Sequence, residues 1–338
     1  MRRPLAAAVR RMPPRPQRMA RRLHRWLRRS LLWLIDARPL SYGVMALGAL
    51  LLVLALLGLG SCVHGCVAGG AGGSGRATSD AGSAGEVADV RSWQLPASFD
   101  AQLSSRLQEL GREDVRVAKA LDNLDAYAKV GNGGAYEQQK LLKLAADDPA
   151  AIDFVADLPE SYPRARSEEY ASGVTKGVVP RLYQWDKRWG YTEYCGRDFG
   201  TTGCCPTSFS MVYMAVTGKT DVTPGVAGEL AQELDMVDDD AGTYGDFIPT
   251  AAECYGLECR EVGRSVEVIK AELQSGHVLI ANVGPGDFTT AGHFIVLTVW
   301  NADGSVSICD PYSSVRSGQT WDPERLVGQT MRLHSFKL

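Results

Sequence analysis

Apolar and polar residues follow several distinct patterns along this chain, and each pattern predicts a different kind of segment. The first is a run of eighteen uncharged, mostly apolar residues at 43–60. Such a run is at the short end of what crosses a bilayer as a helix. We predict a basic tail at 1–40 and a transmembrane anchor at 41–62. A flexible linker is expected at 63–92, since its Gly, Ser and Ala residues cannot form a core.

Between residues 93 and 172 the apolar residues recur at helical spacing. Leu103 and Leu107 lie on one face of the first predicted helix. Asp148-Pro149 has the form of an N-cap followed by proline at the first helical position. The segment contains no His and no Cys. We therefore expect a helical region that serves packing and carries no catalytic group.

From residue 173 to residue 338 the pattern changes to helices followed by strands, which predicts an α+β domain. Helices are predicted at 206–216, 224–234, 250–255 and 266–273. Strands are predicted at 278–283, 293–300, 306–309 and 330–336. The turn residues at 301–304 join two of these strands as a hairpin, and we expect Trp300 to pair with Ser305.

The distribution of charge orients the predicted anchor. Residues 1–40 hold twelve Arg and one Asp, whereas the rest of the chain holds 24 basic and 38 acidic residues. The positive-inside rule then places the N-terminus in the cytoplasm and the C-terminal domain outside a cell membrane that the chain crosses once. The basic tail is expected to contact anionic lipids of the inner leaflet. The acidic part has no basic stripe, so we expect no nucleic-acid partner.

Two alternatives to the uncleaved anchor are a cleaved signal peptide and a lipoprotein. The forty-residue charged lead is too long for an ordinary signal peptide. Leu59-Gly60-Ser61-Cys62 is similar to the lipobox of bacterial lipoproteins, in which the Cys is acylated after cleavage. Acylation at Cys62 therefore stays open as the second interpretation.

Three residues of the C-terminal domain have the chemistry of a thiol nucleophile and its partners. Cys204 comes just before Pro206, which suits the first turn of a helix, and a helix N-terminus favours the thiolate. His293 begins an apolar strand after a Gly. In the predicted hairpin Asp310 is a diagonal neighbour of His293 on the same face, where a carboxylate can fix the imidazole tautomer. Each residue alone is explained as well by a structural role.

Several short motifs carry a resemblance to a known family. They are Gln184-Trp185-Asp186, Gly203-Cys204 with Pro206-Thr207-Ser208, Gly245-Asp246, 284–288, Gly292-His293-Phe294 and Asp310-Pro311. Over about residues 180–338 this set resembles the stand-alone branch of the bacteriocin-processing (double-glycine leader) cysteine peptidases, the thirty-ninth cysteine peptidase family, in the papain-like superfamily. Cys205 departs from the pattern, because the family usually has Gly after the nucleophile.

The resemblance implies a papain-like fold and a Cys-His-Asp triad. Cys204 would be the nucleophile, His293 the general base and acid, and Asp310 the orienting residue. A Gln would complete the oxyanion hole with the Cys204 backbone N–H, and Gln184 is the Gln upstream of Cys204 in this domain. The cysteine and histidine spacings match no zinc ligand set, so neither a metal nor another cofactor is expected.

Taken together, the sequence predicts a membrane-anchored, extracytoplasmic cysteine peptidase that acts through a thioester on a peptide or protein of the cell envelope. The same triad also serves cell-wall peptide hydrolases and transpeptidases. A further alternative is a membrane-tethered binding module that keeps the papain-like groove without turnover.

Overall fold

The structure, a computed structural model, describes residues 91–239 and 242–338. The predicted basic tail, the anchor, Cys62 and nearly all of the linker lie outside the described residues. Within the part that is described, no helix is both long and apolar enough to cross a membrane.

Helices form the N-terminal part of the described chain. Asp100 begins the first of them by accepting a hydrogen bond from the Leu103 backbone N–H at 2.8 Å, and Leu103 and Leu107 face the core. Asp148 caps a 3₁₀ turn, Pro149–Ala151, as its sequence predicts. The helices are α1 (Ala101–Glu113), α2 (Val115–Asp122), α3 (Leu124–Tyr127), α4 (Gly134–Asp147) and α5 (Ile152–Ser161).

The C-terminal part combines helices with antiparallel sheets, so the α+β prediction is confirmed. The helices are α6 (Phe199–Thr202), α7 (Cys204–Thr217), α8 (Pro224–Glu233), α9 (Phe247–Tyr255), α10 (Val266–Gln274), α11 (Ser314–Ser317) and α12 (Pro323–Gln329). Two short hairpins pair β1 (Glu193–Tyr194) with β2 (Arg197–Asp198) and β3 (Val237–Asp238) with β4 (Gly242–Thr243). The main sheet has the order β5–β10–β6–β7–β8–β9. Its strands are β5 (Cys259–Glu261), β6 (His277–Val283), β7 (His293–Trp300), β8 (Val306–Cys309), β9 (Thr320–Trp321) and β10 (Thr330–Lys337).

Helix α7 lies at the centre of the C-terminal part. Every residue from Cys205 to Ala215 is buried, and the helix packs against β6 and β7 of the main sheet and against α8. A helix with so few polar residues, none of them charged, is expected to be enclosed by other elements in this way. Gly218, at φ +71°, ends the helix in the left-handed conformation that glycine adopts without strain. The first residue of α7 is therefore fixed by the core behind it.

The register of the β7–β8 hairpin differs from the prediction at the turn. Trp300 lies opposite Val306 and not Ser305, because Gly304 at φ +85° closes a three-residue loop in which the Asn301 N–H bonds to the Ser305 carbonyl. An irregularity at Leu297/Val299 then shifts the pairing by one residue. The predicted register is wrong at the turn and is recovered towards His293.

Two histidines outside the predicted triad are held within the main sheet. His277 is partly buried, and its Nδ1 lies 2.6 Å from Glu272 Oε2. His334 is buried, because its strand β10 lies between β5 and β6. The covering strand β5 has only three residues, too few to show an alternating pattern in the sequence.

Candidate active site

Cys204 is the first residue of α7, directly after the short helix α6. Asp198 begins α6 by accepting a hydrogen bond from the Thr201 N–H at 2.8 Å. At Gly203 a Cβ atom would lie 2.3 Å from Phe199 Cε1, so only glycine fits between the two helices. The turn thus places the Cys204 thiol at the positive end of a buried helix.

The electrostatic surroundings of Cys204 favour its thiolate. Burial opposes ionisation of the thiol, but a hydrogen bond to His293, the positive charge of that imidazole and the Phe294 backbone N–H outweigh it and lower the Cys204 pKa. Lys140 adds a smaller contribution of the same sign. The neighbouring thiol of Cys205 behaves in the opposite way, because complete burial raises its pKa well above the ordinary value.

His293 begins β7, and its imidazole is buried with Nε2 2.8 Å from Asp310 Oδ1. Burial alone would lower the His293 pKa, but the Asp310 charge and hydrogen bond, with the Cys204 thiolate, raise it to about 9. Because Nε2 is bound to Asp310, Nδ1 is the nitrogen left for Cys204. The lowered pKa of the thiol and the raised pKa of the imidazole both favour a thiolate beside an imidazolium.

Asp310 directly follows β8 and is fully buried. Besides His293, its Oδ1 accepts a hydrogen bond from the Tyr312 N–H at 2.8 Å, and its Oδ2 accepts one from Arg316 Nε at 2.5 Å. Burial raises the pKa of this carboxyl, but the charges and hydrogen bonds of His293 and Arg316 prevail and lower it. Asp310 is thus a satisfied carboxylate that can hold the imidazole in place.

Arg316 and Ser317 on α11 complete the surroundings of Asp310 and were missed by the sequence reasoning. Ser317 Oγ accepts a hydrogen bond from the Asp310 N–H at 2.8 Å, beside the Arg316 contact with the carboxylate. The local signal for α11 is its N-cap, Ser313, which accepts a hydrogen bond from the Arg316 N–H. No spacing in the sequence shows that this cap would aim Arg316 at Asp310.

Gln184 contacts both the helix that precedes Cys204 and the residue that follows Asp310. Its side chain is buried, and Nε2 donates to the Gly200 carbonyl of α6 at 2.9 Å. Its backbone N–H donates to the Pro311 carbonyl at 2.8 Å. The amide nitrogen carries a second hydrogen, and the Cys204 N–H at the helix start has no partner within the helix. The oxyanion role of Gln184 stays a prediction.

The structure brings Cys204, His293 and Asp310 together from the start of α7, the start of β7 and the end of β8. A low-pKa thiol beside a protonated imidazole can attack a carbonyl carbon and return a proton to the leaving group. Among residues 91–239 and 242–338, no group of three or more His, Cys, Asp or Glu side chains is arranged to hold a metal ion.

Comparisons with known proteins give one informative match. Residues 177–329 match the Peptidase_C39 like family, and this range includes Cys204, His293 and Asp310. No curated protein matches the chain. A solved structure from Bacillus anthracis, described as a C39-like peptidase, is 16% identical, with a TM-score of 0.34 over 50% of this chain and 98% of that one. That likeness is too weak to bear on the fold.

The family match agrees with the architecture. Helices followed by an antiparallel sheet fit an α+β, C39-like peptidase fold. For residues 177–329, the match therefore supports the C39-like family of papain-like cysteine peptidases, which are hydrolases.

Proposed function

We propose that this chain hydrolyses peptide bonds with Cys204 as nucleophile, His293 as general base and acid, and Asp310 as the residue that orients His293. The observation that carries the proposal is the buried His293–Asp310 hydrogen bond of 2.8 Å beside a cysteine at a helix N-terminus. The pKa of the thiol is lowered and that of the imidazole is raised, and these opposite shifts are what a thiolate–imidazolium pair requires.

The proposed reaction begins when the Cys204 thiolate attacks the scissile carbonyl carbon and forms a C–S bond. The carbonyl oxygen takes up the negative charge and is stabilised by the Cys204 N–H and the free N–H of Gln184. His293 gives its proton to the leaving amine as the C–N bond breaks, which leaves a thioester. Neutral His293 then takes a proton from water, the hydroxide attacks the thioester, and the acid leaves with Cys204 again a thiolate.

Matched substitutions test the triad. The full-length protein is incubated with a mixed peptide library that includes paired-glycine sequences, and the products are identified by mass spectrometry. Cys204→Ala and His293→Ala should abolish cleavage, whereas His277→Ala, a change of the same kind at a histidine bound to Glu272, should retain it. Cleavage by His293→Ala together with none by His277→Ala would sink the assignment.

We propose further that the peptidase is held outside the cell by the anchor at 41–62 and acts on a peptide or protein of the cell envelope. This rests on the apolar run and on the arginines before it. Protease added to intact cells should remove an epitope placed after residue 92 and spare an N-terminal tag. Digestion of that tag would reverse the topology. Loss of both anchoring and lipid labelling in Cys62→Ser would identify a lipoprotein instead.

A further inference from the structure

The helices that precede the matched segment 177–329 make two polar contacts near the site. One is with the turn before Cys204, and the other is with the segment that holds Asp310. On the cysteine side the contact comes from α4, where Lys140 Nζ donates to the Thr201 carbonyl at 2.6 Å. Thr201 is three residues before Cys204, within α6. The positive charge of Lys140 also lowers the Cys204 pKa. Lys140 therefore acts on the nucleophile both by its hydrogen bond to the preceding turn and by its charge.

On the acid side the contact comes from Asp148, the residue that ends α4. Its buried carboxylate accepts hydrogen bonds from the Ser314 backbone N–H at 2.5 Å and from Ser314 Oγ at 2.6 Å. Ser314 is the first residue of α11, the helix from which Arg316 and Ser317 bind Asp310. Asp148 thus fixes the start of the short helix that holds the triad carboxylate.

An apolar contact holds the same two parts of the chain together. The Phe154 ring of α5 stacks on Tyr191 with centroids 5.1 Å apart. It also lies directly against Gly200 of α6, where a Cβ atom would be 2.2 Å from Phe154 Cζ. Because packing this close leaves no room for sliding, α6 keeps one position relative to the helices.

The charged neighbours of Lys140 and Asp148 make no such contacts. Lys143, on the next turn of α4, and Asp147, next to Asp148, pair with each other at 2.6 Å on the surface. Asp147 also lies 3.5 Å from the Arg106 guanidinium, and all three side chains are about half exposed. Lys140 and Asp148 therefore contact the segments that carry the triad, whereas Lys143 and Asp147 contact each other on the surface and serve as matched controls.

We propose that Lys140 and Asp148 are positioning residues, through which the helical region holds the Cys204 turn and the Asp310 segment at the spacing that the triad needs. The inference deepens the proposed peptidase function and rests on it. Both residues lie before the segment 177–329 that matches the peptidase family. The catalytic residues in that segment therefore depend on the preceding helices to keep their positions. If either the Cys204 turn or the Asp310 segment moved by about 1 Å, turnover would fall by around a hundredfold.

The first test compares Asp148→Asn with Asp147→Asn in the full-length protein. Asn keeps the size of Asp148 but removes the charge that Ser314 binds. The rate of Cys204 alkylation by iodoacetamide is measured against pH. For Asp148→Asn the midpoint should move to higher pH by about half a unit to one unit, because a looser Asp310 supports the His293 imidazolium less well. Asp147→Asn should keep the wild-type midpoint.

The second test compares Lys140→Met with Lys143→Met. Lys140→Met should slow Cys204 alkylation at mildly acidic pH by about threefold to tenfold, since a positive charge near the thiolate is lost. Lys140→Arg, which keeps the charge and a donor, should restore most of the rate. Lys143→Met should react as the wild type does.

Measurements of kcat, KM and thermal unfolding distinguish a misaligned site from a protein that has not folded. Asp148→Asn should lower kcat by about tenfold or more with a smaller change in KM, because the reacting groups are misaligned. Thermal unfolding identifies a variant that does not fold. In that case Ser314→Ala, which removes one of the two hydrogen bonds to Asp148, carries the test with the same expected direction.

Folded Asp148→Asn and Lys140→Met proteins with wild-type alkylation profiles and wild-type kcat would overturn the positioning role and leave the peptidase proposal standing. A wild-type Cys204 that reacts no faster than Cys309 would overturn both. A shifted alkylation midpoint in a protein that cleaves no peptide would support positioning and count against peptidase function alone.

Discussion

Replacing Asp310 with Asn removes the charge that stabilises the His293 imidazolium. The change preserves the shape of a fully buried side chain that bonds His293 Nε2, the Tyr312 N–H and Arg316 Nε. With the Asp310 charge gone, only the Cys204 thiolate still opposes the effect of burial, and the His293 pKa must fall. The thiolate–imidazolium pair then persists only over a narrower range of pH.

The size of this effect follows from the contact. An opposite charge in direct contact shifts a pKa by about 1–3 units. The His293 pKa, about 9 in the intact site, should therefore fall by about 1–3 units in Asp310→Asn. Since kcat/KM reports the ionisations of the free enzyme, its alkaline limit should move to lower pH by the same amount. At neutral pH, kcat should fall by about 10²–10⁴, less than on loss of Cys204 or His293.

The assay is the pH dependence of kcat/KM for one peptide that the wild type cleaves. Asp303→Asn is the matched control, because Asp303 lies in the exposed β7–β8 turn, where its carboxylate accepts hydrogen bonds from Ser305. Thermal unfolding of each variant shows that the comparison is between folded proteins. An alkaline limit that stays in place in folded Asp310→Asn would refute the role of Asp310.

The turn before Cys204 gives two further predictions. Gly203→Ala should lower the free energy of unfolding by about 1–3 kcal/mol, because the new methyl group collides with the Phe199 ring; chemical denaturation that shows equal stability would contradict this packing. Asp198→Asn should stabilise the protein at neutral pH, because burial and the Glu137 carboxylate raise the Asp198 pKa. The folded wild type keeps a proton that the unfolded chain releases above about pH 4, so its stability falls as the pH rises towards neutrality. Denaturation at a series of pH values should show that slope flattened in Asp198→Asn, and an unchanged slope would count against it.

Much of the fold could be predicted because its signals are local. Helix α7 has Pro206 in its first turn and Gly218 at its end, and β7 is an uninterrupted apolar run after Gly292. Buried strands and capped helices produce such patterns whatever surrounds them. The contact between His293 and Asp310 could also be predicted, because two strands joined by a short turn fix which residues face each other.

The remaining features depend on contacts between residues far apart in the chain. Asp148 and Ser314 are 166 positions apart, and no local pattern connects them. Arg316 approaches Asp310 only because a four-residue helix turns it inward. Cys195 adopts φ +55° in the β1–β2 turn, where a glycine or asparagine is the usual signal, so that hairpin was not predicted. These features arise from tertiary packing, and the periodicity of the sequence gives no information about such contacts.

The relative reactivity of Cys204 tests the central claim most directly. After gentle reduction, the protein is treated briefly with iodoacetamide at mildly acidic pH and its modified cysteines are mapped by mass spectrometry. Cys204 should react first, while Cys259 and Cys309, whose pKa values burial raises to about 11, stay unmodified. In His293→Ala the Cys204 profile should move towards the ~8.5 of a free thiol. If Cys204 reacts no faster than the other two and its rate is the same without His293, no triad is assembled, and the chain is a binding module in place of a peptidase.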